Sequence, residues 1–115
     1  MDNVVEQKSF HFSVRIVNLC KYLQTDRSEY ILSKQLLRSG TSIGANIAES
    51  KHAQSRSDFT ANMSIALKEA SETEYWLKLL HATNYLNQAQ ADSILADCEE
   101  ILRLLASIVK TTKGE

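Results

Sequence analysis

A chain of 115 residues, 43% hydrophobic and 23% charged, is long enough to build one core of its own and too apolar to be disordered. Thirteen basic residues against fourteen acidic ones leave a net charge of −1, which excludes a strongly basic nucleic-acid clamp and an acidic tail. No apolar run approaches the ~18 residues of a membrane span, and the opening MDNVVEQKSF lacks the pattern of a signal peptide, so the expected location is the cytoplasm with no membrane partner. The absence of proline and a count of three glycines remove the punctuation that a β-rich chain needs. A few long helices remain, and the expectation is an all-α fold.

The first predicted helix covers about 4–24. Phe12, Ile16, Leu19, Cys20 and Leu23 form one apolar stripe at three- and four-residue steps, and Phe10, Val14 and Val17 form a second on the other side. Asp26 and Glu29 read as a capping pair that opens a second helix over 27–53. Leu32, Leu36, Ile43 and Ile47 are its core stripe. Gly40 and Gly44 each cost a helix interior about 1 kcal/mol, so together with Ser39, Thr41, Ser42, Ala45 and Ala48 they point to close approach of a neighbouring helix.

Ser55 and Asp58 form the next capping pair, for a helix over 56–84 whose core residues are Phe59, Met63, Ala66, Leu67, Ala70 and Leu77. Asn87 with Gln90 caps the last helix, over 88–110, where Ala91, Ile94, Cys98, Ile101, Leu105 and Ile108 make a seam suited to near-parallel packing. Short connections force successive helices antiparallel. The expected architecture is a single domain over 1–115, an up-down-up-down four-helix bundle.

Helix three carries a second apolar side, Ile65, Trp76 and Leu79, interrupted by Glu69 and Glu72. With Phe10, Val14 and Val17 this exceeds what one bundle can hide, and the surplus reads as an interface between copies. Arg38, Ser42, Asn46 and Glu49 form a polar stripe on helix two. Pairing of Arg38 with Glu69 or Glu72, and bridging of helix ends by Asn46, would set register rather than perform chemistry.

Enzymatic and metal-binding readings find little support. Glu49 and His52 form an E-x-x-H motif, but a di-iron bundle needs two, and neither His11 nor His81 has a glutamate three residues earlier. Cys20 and Cys98 lie in core stripes and read as small hydrophobes, kept reduced in a cytosolic chain. No phosphate loop or nucleophile motif is present, so the chain is expected to have no cofactor, no catalytic residues and no small-molecule substrate. Lys51, His52 and Arg56 around one loop, with Lys21 and Arg27 near another, are the residues available for a nucleic-acid contact.

Arg38, Ser42, Ile43, Asn46, Ile47, Ala48 and Glu49 follow an R-x-x-x-S-I-x-x-N-I-A-E pattern, and 65–77 follow I-A-x-K-E-A-x-E-T-x-x-W-L. Over nearly the whole chain the sequence resembles the four helix bundle proteins, which include the intervening-sequence proteins encoded within bacterial 23S rRNA genes. The resemblance implies a homopentamer without established enzymatic activity. A related branch, the accessory proteins of diversity-generating retroelements, is similar in fold, pentameric and able to bind nucleic acid, but much more basic than this chain. The leading expectation is therefore a non-enzymatic oligomeric scaffold or interaction module. The alternative is an accessory protein acting on structured RNA or a reverse-transcription complex.

Overall fold

The computed structural model describes residues 3–114; the extreme positions 1, 2 and 115 of the expected domain lie outside the described residues. Four helices follow one another, α1 (Asn3–Thr25), α2 (Leu32–Ser50), α3 (Arg56–Ala82) and α4 (Gln88–Thr112), with no strand among the described residues. Each helix packs on its neighbours around the ring, α1 on α2, α2 on α3, α3 on α4 and α4 on α1, and none crosses the diagonal. The result is an all-α antiparallel four-helix bundle, 44 × 22 × 20 Å in extent.

Phe12, Ile16 and Leu23 of α1, Leu36, Ile43 and Ile47 of α2, Met63 and Leu77 of α3, and Ile101 and Leu105 of α4 are fully buried. Leu19, Leu32, Phe59, Leu67 and Ile108 only flank this core, and Val109 rather than Ile108 completes the buried seam of α4. The small residues of α2 have the expected use. A Cβ added at Gly40 would lie 2.8 Å from Cγ2 and 2.9 Å from Cγ1 of Ile16, so α1 rests directly on the α2 backbone. At Gly44 the nearest atoms are the Ser13 hydroxyl at 3.0 Å and the Ser9 carbonyl oxygen at 3.4 Å.

Helix boundaries follow from local hydrogen bonding. Ser55 accepts from the Asp58 amide at the start of α3, and Asn87 with Gln90 forms a reciprocal capping box at the start of α4. The second helix departs from expectation at both ends. Ser28 adopts a left-handed conformation (φ 53°), and residues 26–31 form a turn instead of helix. Glu29 does not close a box opened by Asp26; its own carboxylate caps α2. At the other end Ser50 turns its hydroxyl back to the Ile47 carbonyl, while the amides of Lys51 and His52 reach only three residues back, so the helix stops at Ser50.

Candidate functional site

The polar stripe of α2 divides into three separate parts. Arg38 Nη1 donates to Glu69 Oε1 at 3.3 Å, Arg38 Nη2 donates to Glu72 Oε2, and Trp76 Nε1 donates to the same Glu72 oxygen at 2.9 Å. One α2 cation thus gathers two α3 carboxylates and the indole. Asn46, by contrast, donates only to the Ser42 carbonyl and hydroxyl one turn earlier on α2, and so does not bridge helix ends. The side chain of Glu49 lies in a shallow depression with His52, Asp58 and Asn62, away from Arg38. Beside this network, the Thr73 hydroxyl donates to the Glu69 carbonyl and lies 2.9 Å from the buried Ser39 hydroxyl, which ties α3 to α2 at the same level.

The second apolar faces are real but differently composed from expectation. Trp76 is partly buried against the core, Leu79 is half-buried, and Tyr75 packs edge-on to the indole at 5.1 Å. The indole neither stands in water nor lacks a partner. The exposed surplus is Val4, Phe10 (72% exposed), Val14 and Val17 on α1, Ile65 and Tyr75 on α3, and Tyr30 and Ile31 (77%) in the α1–α2 turn. Sequence reasoning missed Ile31 because a helix starting at residue 27 would give it no special place.

Most of these residues surround one helix. Phe10 lines a groove of about 370 Å³ with Thr41, Gly44, Ala45 and Ala48 of α2 as its floor. Ile65, Glu69, Glu72 and Trp76 follow one another at helical spacing along α3, beside Arg38. Ile31 stands two turns before Arg38 on the same side of α2. The outward side of α2 thus combines short residues at Thr41, Ala45 and Ala48 with the exposed Lys34, Gln35, Arg38 and Glu49, between apolar flanks from α1 and α3. On the opposite side, α4 carries none of the exposed large apolar residues among those described; Asp92, Ser93, Arg103, Ser107 and Lys110 meet solvent there. The exposed large apolar residues thus lie on α1, α3 and the α1–α2 turn, and none lies on α4 among the described residues.

The candidate nucleic-acid residues are largely occupied within the chain. Arg56 donates from Nε to the Thr112 carbonyl at 2.9 Å and from Nη2 to that of Thr111 at 3.2 Å, closing the C-terminus of α4. Lys51 pairs with Glu6, and His52 is exposed. At the far end Arg27 donates to the carbonyls of Tyr85 and Asn84 and lies 5.2 Å over the Tyr85 ring, while Lys21 is exposed.

The thiols are inert in character. Burial, then the nearby Glu29 charge, pushes Cys20 up to about 11; burial, then Glu74, pushes Cys98 up to about 12. Their sulfurs donate to the Ser33 and Ala70 carbonyls, on different neighbouring helices. Among the described residues no group of three or more His, Cys, Asp or Glu side chains could hold a metal ion, and no helix is long and apolar enough to cross a membrane.

Fold and surface together define a small helical bundle whose conspicuous feature is an apolar face instead of a pocket of reactive groups. The chain belongs to the 23S rRNA-intervening sequence protein family, whose model matches residues 1–107. It is similar to a crystal structure of a protein of unknown function from the S23 ribosomal protein family of Bacteroides thetaiotaomicron, with 59% identity and a TM-score of 0.93 over 95% of this chain and 97% of that one. Comparison with curated proteins finds no match.

Proposed function

We propose that this chain is a non-enzymatic subunit of a homo-oligomeric ring, five copies by the family resemblance, in which the α2 side faces neighbouring copies and the polar α4 side faces outward. It acts as a scaffold or interaction module. The observation that carries the reading is the asymmetry between the two sides of the bundle. Phe10, Val14, Val17, Ile31 and Ile65 lie exposed around α2, and none of their kind lies on α4 among the described residues. An apolar face of this breadth marks a protein contact more often than a solvent surface. Fully burying one such side chain is worth about 1.5–3 kcal/mol, so a handful suffices to offset the entropy of association.

Sedimentation or light scattering of the purified chain tests this. The expected mass is five times the 13.0 kDa of one chain, and Phe10→Ser with Val14→Ser should reduce it without changing helicity. A compact single chain at micromolar concentration would end the proposal. Mobility shift with structured RNA over a salt series tests the nucleic-acid alternative, because phosphate binding must weaken steeply as salt rises. That alternative has the thinner support, since Lys51 and Arg56 are both held by intrachain partners.

A further inference from the structure

The turn between α1 and α2 is held together differently from the rest of the bundle. Its apolar residues contribute little to holding it, because Tyr30 is 54% and Ile31 77% exposed. Its backbone includes the left-handed Ser28, a conformation that costs a non-glycine residue about 1–2 kcal/mol. Within it the main chain is tied back to α1 by only two bonds, Asp26 amide to Tyr22 carbonyl and Glu29 amide to Leu23 carbonyl.

Two side chains compensate: Arg27, which is exposed, ties the turn to the Tyr85 and Asn84 carbonyls, and Glu29 holds it from within. Glu29 is 7% exposed, and its carboxylate accepts from the amides of Ile31 at 3.1 Å, Leu32 at 2.9 Å and Ser33 at 2.7 Å. Helix α2 has no other side-chain cap at Ile31, so Glu29 alone satisfies most of the amides that a helix start leaves unpaired. Around it, Ser33 donates to the Glu29 carbonyl, Gln24 donates to the Ser33 hydroxyl, and the Cys20 thiol donates to the Ser33 carbonyl. Cys20 is thereby covered by the first turn of α2, with 3% exposure.

We propose that residues 26–34 form a latch that opens as a unit while the bundle stays folded, and that Glu29 is the positioning residue holding it shut. Opening sacrifices few apolar contacts, because Ile31 already faces solvent and Leu32 is only partly buried. It does release the three amides, part the exposed Arg27 from the Tyr85 and Asn84 carbonyls, and uncover Cys20. Segments with little apolar burial, held by a few polar bonds, are where local opening concentrates. The closed latch also fixes Ile31 on the α2 side of the bundle, a consequence for assembly that rests on the proposed ring; the latch itself does not.

The two thiols supply the test. Cys98 lies 0% exposed at mid-bundle against the Ala70 carbonyl and reports global opening, whereas Cys20 reports the latch. The full-length protein in native buffer is treated with iodoacetamide, and each cysteine peptide is followed by mass spectrometry. Cys20 should react ahead of Cys98. Glu29→Gln should accelerate Cys20 by about tenfold or more, as expected for loss of charge-assisted bonds, with a much smaller change at Cys98. Deuterium exchange at the Leu32 and Ser33 amides should accelerate in parallel. Equal labelling rates at the two thiols of the unaltered protein would overturn the latch, and this comparison stands even if the variant fails to fold. An equal acceleration of both thiols in Glu29→Gln, or an unchanged Cys20 rate, would overturn the role of Glu29.

Discussion

Substituting alanine at Gly40 and at Gly44 should have opposite consequences, although both glycines lie in the middle of α2. Alanine gains about 1 kcal/mol of helix propensity over glycine at either site. At Gly40 the new methyl carbon would stand 2.8 and 2.9 Å from the two γ carbons of Ile16 and 3.3 Å from its Cβ. Ile16 is β-branched and 0% exposed, so it has no free rotamer into which to retreat. Overpacking of this kind costs about 1–3 kcal/mol. Contacts below 3.0 Å against a side chain that cannot retreat belong to the upper part of that range, about 2–3 kcal/mol, so the net expectation is a loss of about 1–2 kcal/mol, or about 4–10 °C in Tm for a chain of this size.

At Gly44 the closest atom is the hydroxyl of half-buried Ser13, which can rotate away, so Gly44→Ala should be neutral or stabilising by up to about 1 kcal/mol. Thermal and urea unfolding of the two variants measure both effects at fixed protein concentration. Combining Gly40→Ala with Ile16→Ala should give a non-additive cycle, since the second change removes the atoms that the first one meets. A Gly40→Ala protein as stable as the parent would refute the reasoning that α1 rests on the α2 backbone.

Arg38→Met should cost the isolated bundle less than about 1 kcal/mol, because the Arg38 side chain is 51% exposed; a larger loss of oligomer mass on sedimentation would show that the Arg38–Glu69–Glu72 cluster sets assembly register. Arg56→Ala should fray the end of α4, seen as faster deuterium exchange over residues 108–112 with exchange at mid-helix Cys98 unchanged. Both buried thiols bind their protons more tightly in the folded chain than at their ordinary value of 9.0, reaching about 11 and 12. Their contribution is complete below pH 9 and is lost as pH rises from there through about 11–12, so urea midpoints should fall in that window. A Cys20→Ala, Cys98→Ala protein should show a shallower decline.

Periodicity at 3.6 residues exposed the four helices and most of the core, because burial of an amphipathic face is written locally. Ser55 and Asn87 were readable as caps for the same reason: each partner lies three residues away. Glu29 was not, since an acidic residue three positions after Asp26 fits a capping box as well as it fits a cap for the next helix. The left-handed Ser28 decides between the two, and no residue type announces it. Long-range bonds were equally hidden. Arg27 and Arg56 look like loop cations in the sequence, yet they close carbonyls 55 to 58 residues away. The helical angle of Trp76 places it outside the core stripe, but its size lets it reach back and bond Glu72. The short side chains of Gly44, Ala45 and Ala48 were visible as a pattern, but not that α1 and α3 both turn their surplus toward the same helix.

Of the four seams in the bundle, the one between α1 and α4 is the least intimate, and it is stitched by polar bridges: Lys8 to Glu100, and Arg15 to Asp97 and Ser93. Ions at high concentration mask such stitches while leaving the greasy joints of α2 with its neighbours untouched or tightened. Mechanically the molecule resembles a book whose spine runs along α2 and α3 and whose covers meet at α1 and α4. Concentrated salt or a pulling force should part the covers before it cracks the spine.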